Sequence, residues 1–248
     1  AEKERMPAYG ADMNKYLDSG NEARIKKAYE SRDPRLQMAV ITPYAQYNGA
    51  SSGIAHTYTL RWPYRGSDSA EPFDIRTDTN DKFYYLWRKF VPEGLEQTER
   101  DTYGLDIPLI RYAEVLLLKA EALNEWGSTH ESEAIRCVNE VRRRAGHVEL
   151  NNATYPATKV NGQSDLRERI RNEYYWEIGG EDSMYFHELR WGTWKDKKFD
   201  NNRNGLMQMW GETTYTWYWL GDQCWSWPIP AKEMEMNSNL EQNEGWIN

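Results

Sequence analysis

The stretch from Asp106 to Gly146 constrains the fold more than any other part of the chain, because its apolar residues recur at helical steps twice over. Leu109, Ala113, Leu116, Ala120 and Leu123 follow one another at alternating intervals of four and three, which places them on one helical face. Asp106 is a candidate N-cap, Pro108 is tolerated in a first turn, and Gly127 can take the left-handed conformation that ends a helix. A second helix follows. Ala134, Val138, Val141 and Ala145 form its stripe, Arg142, Arg143 and Arg144 suit the negative end of its dipole, and Gly146 closes it. Two antiparallel helices with alanines in the seam, over about 40 residues, read as a tetratricopeptide-type pair. Such a pair cannot bury its faces alone, and stacks usually contain about three or more repeats. No second copy is legible between residues 1 and 105. The pair therefore packs on irregular structure or on repeats outside this chain.

At 248 residues the chain has ample length for a core. Only 39% of it is hydrophobic, but 12 Trp and 17 Tyr offer much area per side chain. That many tryptophans exceed the needs of one core and leave some for exposed platforms. The net charge of −8 argues against a nucleic-acid groove or an anionic membrane surface. No stretch approaches the roughly 18 apolar residues of a membrane span. The chain opens on Ala1 without a signal-peptide pattern, the expected look of a processed protein or a fragment. Nothing in the sequence decides whether Cys137 and Cys224 pair.

Residues 11–16 and 21–29 read as helical, and the chain turns at Asp33-Pro34. Leu36 to Ile41 reads as a short strand and Lys82 to Val91 as a second. Residues 42–80 are rich in Gly, Ser, Pro, Tyr and Asp without a period, the mark of long functional loops. After a polar loop over 148–163, a third helix starts near Ser164. Asp165 and Glu168 have capping-box spacing, Leu166, Ile170, Tyr174 and Ile178 form the stripe, and Gly179-Gly180 ends it. A short helix from Ser183 to Trp191 follows. Residues 193–227 are loop-like and rich in tryptophan: Trp194, Trp210, Trp217, Trp219, Trp225 and Trp227, with Trp191 at the edge. The expectation is a single domain over 1–248, mainly α, with tetratricopeptide-like helix pairs and a few short strands. The scaffold spans about residues 105–192 and the variable loops about 42–80 and 193–227.

Most motifs have bland explanations. Gly49-Ala-Ser51-Ser-Gly53 spells a nucleophile elbow, but a β-like run follows where that motif needs a helix, so Ser51 reads as loop. His56, His130, His147 and His187 lack metal spacing. Asp74, Asp78, Asn80 and Asp81 cluster in a loop without the Gly and distal Glu of a calcium site; a loosely held Ca²⁺ has no further support and no cofactor is expected. Glu173, Glu177 and Glu181 recur every four residues. They read as a structural ion network with Arg167, Arg169, Arg171 and Arg190 rather than as a hydrolytic carboxylate pair. The loop tryptophans carry the functional expectation. Flat rings beside amides and charges suit stacking on sugar rings, with the hydroxyls hydrogen-bonded at the rim. The candidate ligand-binding residues are Trp62, Tyr64, Trp210, Trp217 and Trp219, with Arg65 and Asn204 as hydrogen-bonding partners.

Several segments in order carry a resemblance. Ser31-Arg-Asp-Pro-Arg-Leu36, Ile110 to Leu123, Val138-Asn-Glu-Val-Arg-Arg-Arg-Ala-Gly146 and Arg171-Asn-Glu-Tyr-Tyr-Trp-Glu177 come first. Phe186-His-Glu-Leu-Arg-Trp-Gly192, Trp227-Pro-Ile-Pro-Ala-Lys-Glu233 and Asn237 to Trp246 follow. Over residues 30–248 the chain resembles the C-terminal half of the SusD/RagB family of outer-membrane nutrient-binding lipoproteins. The resemblance implies a helical tetratricopeptide scaffold with a loop-rich ligand-binding part, and a lipid-anchored cell-surface location. It also implies capture of a glycan, or of a peptide in some members, for a SusC-like TonB-dependent transporter, without catalysis. The anchor and further repeats would lie outside this chain. One departure is Gly179-Gly-Glu-Asp-Ser-Met184, where the family often has a Phe-Glu-Gly-His-Arg-type turn. Two other classes stay open: a helical glycoside hydrolase using Glu173 and Glu177, and a pure interaction module.

Overall fold

The computed structural model describes residues 27, 29–30, 32–42, 44–51, 53–64, 74–78, 86–94, 104–181, 183–199 and 219–246. They form two compact units, one ending at Met184 and the other beginning at Tyr185.

In the first unit, Asp33 sets the first helix. Its Oδ1 accepts a hydrogen bond from the backbone N–H of Arg35 at 2.9 Å, and Pro34 occupies the first turn of α1 (Pro34–Ala39). Leu36 to Ala39 is thus helical rather than extended, and only Val40–Ile41 (β1) is strand. The loop reading of 42–80 is corrected more strongly. Strand β2 (Gln46–Ser51) pairs antiparallel with β3 (Ile54–Tyr64), and β4 (Asp74–Asp78) lies parallel on the far side of β3. The β-like run after Gly53 is β3, while β2 and β4 are short and polar and hide from sequence inspection. Polar residues pair across the sheet, as where the Thr57 hydroxyl donates to Asn48 Oδ1 at 2.8 Å. Asp74 and Asp78 therefore stand on a strand; Asn80 and Asp81 lie outside the described residues. Ser51 ends β2 in a hairpin whose Gly53 has φ 76°, which excludes the strand–elbow–helix arrangement. Of the expected strand from Lys82 to Val91, Leu86–Trp87 (β5) pairs with β1, and residues 82–85 lie outside the described residues. Ile41, Tyr47 and Leu60 form a small core under this region.

The helix pair is present but starts late. Helix α2 runs Tyr112–Trp126 with Arg111 as N-cap. Ile107 precedes a proline and is pushed out of helix, so residues 104–110 stay irregular and Leu109 is 89% exposed. Leu116, Ala120 and Leu123 are buried as the spacing predicts, joined by Leu117. Tyr112, Val115, Leu118 and Trp126 are exposed, so α2 is apolar on two sides. A 3₁₀ turn (Ser128–His130) leads to α3 (Glu131–Arg144), which buries Ala134, Val138 and Val141. Helix α4 (Gln163–Glu177) buries Leu166, Ile170 and Tyr174, with Ile178 just beyond its end. The expected capping box gives way to another device. Gly162 is the N-cap, and Asp165 reaches back to accept from Asn161 N–H at 2.8 Å. Helix α2 packs against both α3 and α4, so a third helix rather than irregular structure covers the pair.

Gly180 sits at φ +82°, and a Cβ there would meet Trp87 Cζ3 at 2.7 Å. Gly180→Ala is expected to cost about 1–3 kcal/mol from left-handed strain and overpacking, read as a lower urea midpoint.

Helix α5 (Ser183–Arg190) precedes α6 (Trp194–Lys198), a 3₁₀ turn (Asp222–Trp225) and α7 (Ala231–Met236). Among the described residues from Leu189 onward none is buried. This part is tied together by polar contacts instead. Gln242 both accepts from and donates to the backbone of Ile229, at 2.7 and 2.9 Å, and Asn243 donates to Trp227 O at 2.6 Å. Trp246 Nε1 donates to the carbonyls of Gln223 and Ser226 at 3.1 and 2.8 Å, which fixes the turn carrying Trp225.

Candidate functional site

A train of aromatic rings crosses the second unit. Tyr185 meets Trp194 edge-on at 4.8 Å between centroids, and Trp194 meets Phe199 at 6.2 Å. Phe199 in turn meets Trp219 at 5.1 Å, and Trp219 meets Trp225 at 4.9 Å with their planes tilted by 56°. Among the described residues from Leu189 onward no aliphatic side chain is buried, so there these rings act as the local core. Lys195 Nζ lies 5.3 Å from the Trp219 centroid, and it donates to Asp222 Oδ1 at 3.2 Å. Trp219 Nε1 donates to the same oxygen at 3.3 Å. The hydrogen bonds from Lys195 and Trp219 and the Lys195 charge hold the Asp222 carboxyl below the usual range.

Of the sequence-predicted site residues, Trp219 is the one with a described side chain, and it is a packing hub with Lys195 over its ring. The backbones of Trp62 and Tyr64 lie in β3, with their side chains outside the described part. Arg65, Asn204, Trp210 and Trp217 lie outside the described residues. Asp222, Trp225 and Lys195, which the structure places around Trp219, were not among the candidates. The signal available for the first two was their spacing of three, which a 3₁₀ turn brings onto one side.

The glutamates of α4 form a second polar centre, within the first unit. Glu173 is fully buried, with Arg35 at 2.7 Å and Arg142 at 3.6 Å. Glu177 is held by Arg111 at 2.9 Å, by Arg35 at 3.2 Å and by Arg144; Glu181 pairs with Lys89 at 2.5 Å and Arg111 at 2.7 Å. An ion network was the right expectation with the wrong cations. Arg167, Arg169 and Arg171 instead serve Glu125, Asp165 and Glu168. Burial pushes the Glu173 carboxyl up. Burial also works to raise Glu177, but Arg111, Arg144 and Arg35 outweigh it and hold that carboxyl low. Both carboxylates are clamped by guanidinium groups and Glu173 is inaccessible, so they do not make a hydrolytic pair. Each histidine packs on an aromatic ring: His56 on Tyr58, His130 on Trp126, His147 on Trp176 and His187 on Trp191. Cys137 and Cys224 are both free thiols.

Comparison with known proteins gives a consistent result. Residues 9–246 match the SusD family. The chain is 32% identical over 139 residues to the SusD-like protein P38 of Formosa agariphila, covering 56% of this chain and 24% of that protein. It is 28% identical over 161 residues to the starch-binding protein SusD of Bacteroides thetaiotaomicron, covering 64% and 25%. Among solved structures, a SusD-like protein from Bacteroides fragilis superposes with TM-score 0.59 at 22% identity, covering 88% of this chain and 40% of that one. A SusD homolog from Bacteroides thetaiotaomicron gives 0.55 at 23%, covering 86% and 41%. The matched part is thus about a quarter of the length of these curated relatives.

Proposed function

The chain belongs to the SusD family, and from that membership we propose that it is part of a nutrient-binding protein at the outer-membrane surface. In this reading it captures an oligo- or polysaccharide and passes it to a SusC-like TonB-dependent transporter, from a lipid-anchored position on the cell surface. SusD-like proteins are binding proteins rather than enzymes, and the clamped α4 glutamates agree with that. Among the described residues no helix is long and apolar enough to cross a membrane.

The observation that carries the glycan reading is the indole-rich surface of the second unit, where Trp227 is 76% exposed and Trp225 is 39% exposed with its side chain hydrogen-bonded to the Asp222 carboxylate. Rings of that kind match the apolar faces of sugars. Trp62, Tyr64, Trp210, Trp217 and Trp219, with Arg65 and Asn204, remain the proposed contacts of an extended ligand. Affinity electrophoresis of the full-length protein through gels containing different polysaccharides tests this. Retardation by at least one neutral polysaccharide is expected, weakened about tenfold in Trp210→Ala or Trp217→Ala. Binding of a peptide pool without any polysaccharide would replace the glycan by a peptide ligand.

A further inference from the structure

Asp222 and Trp225 open and close a 3₁₀ turn of four residues. In that helix residues three apart eclipse one another, so carboxylate and indole stand on the same side. The carboxylate is immobilised from beneath: Lys195 and Trp219 both donate to Oδ1, and the Trp225 side chain also hydrogen-bonds to it. A carboxylate offers about four acceptor positions, and the Asp222 side chain is 82% exposed, so acceptor capacity faces solvent. The turn itself is pinned by Trp246, which bonds the carbonyls on either side of Cys224–Trp225. An acceptor already oriented beside an aromatic face loses little freedom on binding.

We propose that Asp222 and Trp225 form a subsite for one neutral hexopyranose unit of a glycan. The proposal rests on the glycan-capture reading above and adds the subsite and its charge preference. The C–H face of the sugar stacks on Trp225, and a hydroxyl at the ring edge donates to the acceptor position of Asp222 that Lys195, Trp219 and Trp225 leave open. Lys195 is paired with Asp222 and lies over Trp219, so the described cation of this group is already engaged by the carboxylate rather than held for an acidic sugar. A uronate here would set a second negative charge against Asp222.

The test is isothermal titration of the full-length protein with maltohexaose, cellohexaose, xylohexaose and hexagalacturonate. At least one hexose oligomer is expected to bind. Trp225→Ala should weaken it about tenfold, and Asp222→Asn should weaken it by a similar factor. Trp225→Phe should recover most of the loss, which a collapse of the turn would not allow. Affinity should stay flat from pH 8 to pH 5, because the Asp222 carboxyl titrates below its ordinary 3.8. Hexose binding untouched by both Trp225→Ala and Asp222→Asn overturns the subsite while glycan capture survives. Preference for hexagalacturonate, or binding only of a lysine-rich peptide, overturns the neutral-sugar assignment. Failure of every oligosaccharide and polysaccharide removes the glycan reading itself, and the subsite with it.

Discussion

Arg35→Ala is expected to destabilise the first unit by about 3–5 kcal/mol, among the largest effects of any single substitution outside the apolar core. The guanidinium lies between Glu173, which is fully buried, and Asp33 and Glu177. Removing it leaves Glu173 with Arg142 at 3.6 Å as its charged partner, and a buried charge without close hydrogen bonds is costly. Urea unfolding followed by circular dichroism gives the number. Two comparisons make it specific. Arg143→Ala removes a surface pair with Glu149 and should leave the midpoint unchanged. The double change Arg35→Met with Glu173→Leu should cost less than Arg35→Ala alone, since it removes both charges together. A loss below about 1 kcal/mol for Arg35→Ala would mean that water replaces the ion pairs.

Leu117→Ala is expected to cost about 2–5 kcal/mol. Leu117 is fully buried on α2, the helix that packs against both α3 and α4, so truncation leaves a cavity that three helices must relax around. Its neighbour Leu118 is 41% exposed, and Leu118→Ala should cost under about 1 kcal/mol. Equal losses at the two positions would contradict the assignment of the buried face.

The contrast between Leu117 and Leu118 also shows what the sequence could and could not reveal. On α4 one clean stripe faces the core, and Leu166, Ile170, Tyr174 and Ile178 were legible from spacing alone. On α2 apolar residues occupy two sides, so spacing located the buried positions but not the start of the helix. Asp106 and Pro108 resemble a helix start, yet the residue before a proline resists helix and Arg111 marks the true beginning. At Asp33-Pro34 the reverse happened: the pair was read as a turn, although an aspartate followed by proline is also a helix start. The β2–β3–β4 sheet was legible only in part. The run from Ile54 to Leu60 alternates and reads as β-like, but its partners Gln46–Ser51 and Asp74–Asp78 are short and polar, so the region as a whole read as loop. Glu173 and Glu177 are bridged to Arg35, 138 and 142 positions away, a pairing that no local pattern contains. The expectation of sugar stacking came from an excess of tryptophan, but which ring lies beside a carboxylate depends on the turn geometry at Asp222–Trp225.

The most direct test of glycan capture is isothermal titration of the full-length protein against neutral oligosaccharides, with Trp225→Ala and Asp222→Asn alongside. Saturable binding of a hexose oligomer, weakened about tenfold by each change, is the predicted result. Binding of peptides alone, with no response to any glycan, would contradict it.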